Sequence, residues 1–130
     1  MSAEGRRWLA YAQENRRAAT VCLESSLFNP SLQNAKQAVE KALKALHLAS
    51  GLPLKKTHSI GELRSDLLRA QVDPGLSEDA ADLLDTIYLP SKYPLGSVLP
   101  HFEADVEMAR RCVAVADQVL AVAAKRFPSE

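Results

Sequence analysis

Apolar residues recur with a helical period along most of this chain, most clearly between residues 34 and 50. Small and aliphatic side chains are spaced there by three and four residues: Ala35, Ala38, Val39, Ala42, Leu46 and Ala49. This spacing places them on one face of an α-helix. Asn29 suits the N-cap, Pro30 the first helical position and Gly51 the left-handed residue that ends a helix. The pattern predicts a helix from Pro30 to about Ser50.

Similar patterns predict four more helices. Their expected bounds are Ser2 to about Leu27, Ile60 to about Ala70, a start at Ser77, and about His101 to Lys125. The segment 89–100, LPSKYPLGSVLP, contains three prolines and a glycine, so it is expected to be a long loop. No strand-like alternation or internal repeat appears. The prediction is an all-α, up-and-down bundle of about five helices that forms one domain over residues 1–130.

The last predicted helix carries two apolar stripes instead of one. The first consists of Phe102, Val106, Ala109, Val113, Ala116, Leu120 and Ala123. The second consists of Met108, Cys112, Val115, Val119 and Val122. Two stripes exceed what one packing partner requires. Either this helix is central to the bundle, or one stripe is the interface of a homodimer.

Composition and charge narrow the class of protein. With 130 residues, of which 47% are hydrophobic and 25% charged, the chain can bury a core of its own. Sixteen basic and sixteen acidic residues cancel, which excludes a diffuse positive field for non-specific nucleic-acid binding. Cys22 and Cys112 lack metal-ligand spacing and are interpreted as reduced, buried thiols, which favours a cytoplasmic location. Neither a signal peptide nor a membrane span is predicted, and no metal or cofactor is expected.

Candidate binding residues lie on the polar side of the second predicted helix. Gln37, Lys41 and Lys44 are spaced to form one stripe, with Glu40 beside it. The stripe is either a solvated helix face or a surface that meets an anion. Weaker evidence for RNA binding comes from four arginines on the first helix, which nearby glutamates partly neutralise: Arg6, Arg7, Arg16 and Arg17.

The loop after this helix adds Lys55, Lys56 and His58 to the local positive charge. Ser59 and Glu62 then have the spacing of a capping box that opens the third helix. Free N–H groups at a helix N-terminus favour an anion, so a phosphate is physically reasonable here. The alternative is that these residues only cap the helix and that the histidine is an ordinary surface or packed side chain.

Three segments, taken in order, carry a resemblance to a known family. The chain reads NAKQAVEKALKALHLASG, then KKTHSIGEL, then an acidic helix that ends in IYLPSKYP, and a long final helix follows. These segments are similar to the QAxEKxLKAL, THxLxxL and YxxSRYP patterns of the small prokaryotic branch of the HEPN domain family. The resemblance extends from about Ala10 to Ala123. It implies an up-and-down helical bundle that is commonly dimeric.

The resemblance implies two different functions, and the first is metal-independent cleavage of RNA. Ribonucleases of this family use an Arg-x4-6-His motif, in which the histidine transfers a proton and the arginine stabilises phosphate charge. Here Lys92 stands where the arginine is expected, and the nearest downstream histidine is His101, nine residues away. Lysine lacks the planar fork of arginine, so the departure argues against a catalytic pair.

The second implied function is binding of a nucleotide, or pairing with a minimal nucleotidyltransferase in a toxin–antitoxin-like pair. The residues that match or nearly match the polar positions of this branch are Gln37, Lys41, Lys44, His58, Lys92 and Tyr93. We expect them to border one groove, where the lysines face phosphate and Tyr93 stacks on a base or closes the groove. The remaining alternatives are a divergent ribonuclease that uses His58 or His101, and a purely structural or dimerisation protein.

Overall fold

The structure is a computed structural model, and it describes residues 3–87 and 104–128. Within these ranges the chain forms five α-helices and no strand: α1 Ala3–Glu24, α2 Phe28–Ala49, α3 Ile60–Arg69, α4 Glu78–Asp85 and α5 Val106–Lys125. This confirms the prediction of an all-α bundle. The segment predicted as a long loop, 89–100, lies outside the described residues.

The turn between α1 and α2 differs from the prediction. Ser26 adopts a left-handed conformation with a φ of 59°, and the amide of Leu27 donates to the Cys22 carbonyl at 2.7 Å. This tight turn ends α1 at Glu24 and lets α2 begin at Phe28. The prediction that Asn29 caps α2 is therefore wrong, because the N-cap is Leu27 and makes no side-chain hydrogen bond. The proline at position 30 still lies in the first turn, where its missing N–H is not needed.

The centre of the bundle is α2, which packs against α1, α5 and α3. Its predicted apolar face is buried: Ala35, Ala38, Val39, Ala42 and Leu46 are fully inaccessible to solvent. The neighbouring helices contribute small residues as well, and those that are fully buried include Ala12, Ala19, Ala109, Ala116 and Ala123. Small side chains let helix backbones approach closely, so the three long helices form one dense core.

The end of α2 follows the prediction. Gly51 has a φ of +78°, and the next amide, of Leu52, donates to the carbonyl of His47 at 2.8 Å. This is the pattern by which a left-handed residue closes the last turn of a helix. The chain then turns into the loop that leads to α3.

Side chains cap the N-termini of α3, α4 and α5. Ser59 Oγ accepts from the Glu62 amide at 3.1 Å, and Ser77 Oγ accepts from the Ala80 amide at 3.1 Å. Both N-caps were predicted from sequence. The capping box at α3 is only half formed, because the carboxylate of Glu62 accepts from Thr57 Oγ1 instead, at 2.8 Å.

The start of α5 corrects a predicted boundary. The helix begins at Val106 after Asp105, whose Oδ1 accepts from the Met108 amide at 2.8 Å, so the predicted extension back to His101 fails at residues 104–105. Both apolar stripes of α5 contribute to the core of this chain: Cys112 and Val119 of the second stripe are buried, and its other members pack partly buried against the core. This agrees with a central helix, and the homodimer stays a prediction. No helix among the described residues is long and apolar enough to cross a membrane.

Candidate functional site

The predicted polar stripe of α2 faces a matching row of side chains on α1. Asn15 Nδ2 lies 3.4 Å from Gln37 Oε1, Lys41 Nζ lies 5.8 Å from the centroid of the Tyr11 ring, and Lys44 Nζ lies 5.4 Å from that of Trp8. Each step towards the C-terminus of α2 is matched by an equal step towards the N-terminus of α1, as antiparallel helices require. We call this surface, made of these six residues with Glu40 and His58, the α1–α2 polar face.

The middle of this face is a chain of hydrogen bonds through Asn15. Lys41 Nζ donates to Asn15 Oδ1 at 2.7 Å, and Asn15 Nδ2 donates to Asn34 Oδ1 at 3.1 Å. The short contact directs the ammonium towards the amide while Tyr11, 48% exposed, leaves its ring accessible beside it. A cation, amide groups and an aromatic ring are thereby held together at the surface.

The end of the face around Lys44 and Glu40 is more enclosed than the sequence indicated. Lys44 was expected on the surface, but its side chain is only 7% exposed, and its ammonium donates to Glu40 Oε2 at 3.0 Å. The same oxygen lies 3.1 Å from His58 Nδ1. The histidine itself is 75% exposed. Because Glu40 already faces both groups, its carboxylate offsets the positive charge that a phosphate would meet here.

The N-terminus of α3, considered above as a phosphate site, is filled by the protein itself. Asp85, at the end of α4, accepts from the amides of Ile60 at 2.7 Å and Gly61 at 2.9 Å. Gly61 allows this approach, since a Cβ there would lie 3.2 Å from Asp85 Oδ2. A carboxylate therefore takes the place that an external anion would occupy.

The basic loop before α3 is also largely paired. Lys55 Nζ lies 3.0 Å from Glu62 Oε1 and 2.8 Å from Asp66 Oδ2. Hydrogen bonds to Asp66 and Glu62 raise the pKa of the lysine, and the hydrogen bond from Lys55 lowers the pKa of Asp66. Lys56 is exposed. Because Lys55 is paired with two carboxylates, the loop presents less free positive charge than its composition indicated.

The structure brings four of the six predicted site residues, Gln37, Lys41, Lys44 and His58, into one surface. Lys92 and Tyr93 lie outside the described residues. The contributions of Trp8, Tyr11 and Asn15 to this surface were not predicted from the sequence. Their spacing of three and four residues on α1 could have revealed them, since it mirrors the stripe on α2.

Potential metal ligands and thiols are scattered or buried in the part of the chain that the structure describes. No group of three or more histidine, cysteine, aspartate or glutamate side chains there could hold a metal ion. Cys112 is buried, and burial raises the pKa of its thiol to about 11. A thiol in this state is a poor nucleophile at neutral pH. Cys22 is free and partly buried.

A bundle of antiparallel helices with a polar face across its first helical hairpin defines a small all-α domain. The model of one family, the HEPN domain, matches residues 6–127, and the chain belongs to this family. The predicted resemblance is thereby confirmed. No curated protein matches the chain.

Two solved structures are similar to this chain. The crystal structure of TT1696 from Thermus thermophilus superimposes with a TM-score of 0.76 at 32% sequence identity, covering 97% of this chain and all of the other. The structure of ST0689, an archaeal HEPN homologue, superimposes with a TM-score of 0.69 at 22% identity, covering 95% of this chain and 98% of the other. The second likeness concerns the fold alone.

Proposed function

We propose that this chain is a non-catalytic HEPN module that binds a nucleotide or another phosphate-bearing ligand on its α1–α2 polar face. The observation that carries the proposal is the grouping of Lys41, Asn15 and Gln37 beside the exposed ring of Tyr11. An ammonium group attracts phosphate, amides bond its oxygens or a base edge, and an accessible ring offers a stacking surface. Lys92 and Tyr93 extend the proposed site by resemblance.

In this proposal the two lysines have unequal roles, and their contacts support the difference. Lys41 bonds a neutral amide, which a phosphate oxygen can replace without separating an ion pair. Lys44 is buried against Glu40, so it supports the face from beneath and contributes less to direct binding. His58 is exposed at the edge of the face, where a ligand can reach it while its Nδ1 stays 3.1 Å from Glu40 Oε2. The ligand therefore centres on Lys41 in this proposal.

Thermal unfolding with and without ligand tests the proposal, since a ligand that binds only the native state raises the midpoint. The panel is ATP, GTP, their mono- and diphosphates, and a short RNA. We expect a nucleotide to raise the midpoint, and Lys41→Gln to abolish the rise. The matched control is Lys125→Gln, an exposed lysine on α5, which should leave the rise intact. If millimolar nucleotides leave the midpoint unchanged, the proposal is wrong and a protein–protein role takes its place.

A comparison of ATP with inorganic tripolyphosphate, which has no base, distinguishes phosphate binding at Lys41 from base stacking on Tyr11. If Tyr11 stacks on the base, Tyr11→Leu should weaken the response to ATP and leave the response to tripolyphosphate unchanged. Equal weakening of both responses would contradict a stacking role for this ring.

We further propose that the module pairs with a minimal nucleotidyltransferase in a toxin–antitoxin-like system and forms a homodimer. The support is the resemblance to the branch in which such pairs occur. Co-expression of this chain with a nucleotidyltransferase encoded beside it should give one complex on size-exclusion chromatography. Separate elution of the two proteins would contradict the pairing, and a monomeric mass for the chain alone would contradict the homodimer.

A divergent ribonuclease is the second candidate, and one contact favours it. His58 is exposed while Glu40 holds its Nδ1 at 3.1 Å, an arrangement that can orient an imidazole for proton transfer. RNA cleavage by the purified protein that is lost in both His58→Ala and His101→Ala would support this function. Cleavage that survives either change would exclude that histidine as the catalytic group.

A further inference from the structure

A cavity lies apart from the α1–α2 polar face. It has a volume of about 560 Å³ and opens between the C-terminal end of α2, the loop 52–55 and α3. Its apolar wall consists of Leu52, Pro53, Leu54 and Ala70. None of the residues that define the polar face lines it. The size falls in the range of pockets that enclose small organic molecules.

His47 lies in the wall of this cavity with one ring nitrogen unused. The residue is 2% exposed, and its Nδ1 lies 2.9 Å from the Leu43 carbonyl oxygen. A carbonyl can only accept, so Nδ1 carries the proton and Nε2 of the neutral ring is an acceptor. This Nε2 atom is buried and has no hydrogen-bond partner among the described residues. Since buried polar atoms are nearly always bonded, its lone pair calls for a donor that the described residues do not supply.

The charged part of the wall leaves Arg69 available to an acid group. Lys55, Arg69 and Asp66 line the cavity, and Lys55 is also paired with Glu62 outside it, at 3.0 Å. Both cations contact the same carboxylate, Lys55 through Oδ2 and Arg69 through Oδ1. The guanidinium uses one of its terminal nitrogens in that contact and its side chain is 72% exposed, so further N–H donors remain for a second acid group.

We propose that this cavity binds a small organic monoanion that carries a hydrogen-bond donor. Its compact apolar body packs against Leu52 and Leu54, its O–H or N–H group donates to His47 Nε2, and its acid group meets Arg69. The site is independent of nucleotide binding on the polar face, so either can fail without the other.

Hydroxybenzoates are suitable probes because they combine the three features. The ¹⁵N-labelled full chain is titrated with 3- and 4-hydroxybenzoate, which differ in the separation of donor and acid, and with benzoate and phenol, which each lack one group. Long-range ¹H–¹⁵N correlation spectra resolve the imidazole nitrogens. His58 does not line the cavity and serves as an internal control in the same spectrum.

We expect at least one hydroxybenzoate to shift the Nε2 resonance of His47 and leave that of His58 in place. Benzoate and phenol should bind at least about fivefold more weakly, the factor that one hydrogen bond of ordinary net strength supplies. Arg69→Gln should weaken hydroxybenzoate binding and leave phenol binding unchanged, whereas Arg17→Gln, an exposed change on α1, should alter neither. A resonance of His47 that stays fixed at millimolar probe, or equal affinity for all four probes, overturns the proposal.

Discussion

Glu40 supports the α1–α2 polar face from within, and its removal gives the most direct test of how this surface is built. Its Oε2 atom lies 3.0 Å from Lys44 Nζ, and the two side chains are 13% and 7% exposed. The perturbation is Glu40→Gln, which keeps the shape of the side chain and removes its charge. It leaves the ammonium of Lys44 largely desolvated without a counter-charge.

The expected loss follows from the burial of the pair. Removing one partner of a buried ion pair typically costs about 3–5 kcal/mol of unfolding free energy. The Trp8 ring, 5.4 Å from the ammonium, makes its cation–π contact both before and after the change, so it does not alter this difference. The expectation for Glu40→Gln is therefore a loss of about 3–5 kcal/mol.

Replacing both partners should reverse most of this loss. In Glu40→Gln combined with Lys44→Met, no desolvated charge remains, and an apolar side chain fills the space of the lysine stem. Such double replacements are often close to neutral, within about 1 kcal/mol of the original stability. The pair should thus show a coupling energy well outside the error of additivity, since distant sites add within about 0.5 kcal/mol.

Urea unfolding at equilibrium measures these differences, followed by far-ultraviolet circular dichroism and by the fluorescence of Trp8, the only tryptophan of the chain. The matched control is Asp117→Asn, which breaks the ion pair with Arg16 in which both side chains are more than 40% exposed. Exposed pairs contribute about 0–1 kcal/mol. If Glu40→Gln loses no more than this control, the ammonium of Lys44 does not depend on Glu40 and the reasoning is refuted.

Three further predictions concern the supporting structure. Asp85→Ala removes the acceptor for two backbone amides at the start of α3 and should cost about 2–3 kcal/mol in urea unfolding; an unchanged midpoint would show that water replaces the carboxylate. Gly75→Ala should lose more stability than Gly51→Ala. Both glycines have a positive φ, but only at position 75 would the new Cβ overlap a neighbour, a valine methyl of α5 at 2.8 Å. Equal losses in the two variants would exclude this overlap. Lys55→Gln should flatten the acid side of the curve of unfolding free energy against pH. Lys55 holds the pKa of Asp66 in the folded chain below its ordinary value of 3.8. The stability that this carboxyl contributes is therefore present above pH 3.8 and is lost as the pH falls through the lower pKa of the folded state. Parallel curves for the variant and the original chain would contradict this linkage.

The arrangement of helices was largely predictable from the sequence. The apolar face of α2 is buried as its three- and four-residue spacing indicated, and Ser59 and Ser77 cap the helices that they precede. These features are local, since a helix face and an N-cap depend on residues within a few positions of one another. Membership of the HEPN family also followed from short segments in a fixed order. The boundary at α2 failed because a left-handed Ser26 begins the helix early, which no residue type there required.

The pairing of charges was decided by tertiary structure. The sequence placed Lys44 on a polar stripe, but the packing of α1 over α2 covers it with Trp8 and leaves Glu40 as its partner. The sequence also left the N-terminus of α3 open to an anion, whereas α4 delivers the carboxylate of Asp85 to it from 24 residues away along the chain. Periodicity determines which residues share a helix face, because it depends on local backbone geometry. Which groups meet across helices depends on long-range packing, and that packing decides how much positive charge this face offers to a ligand.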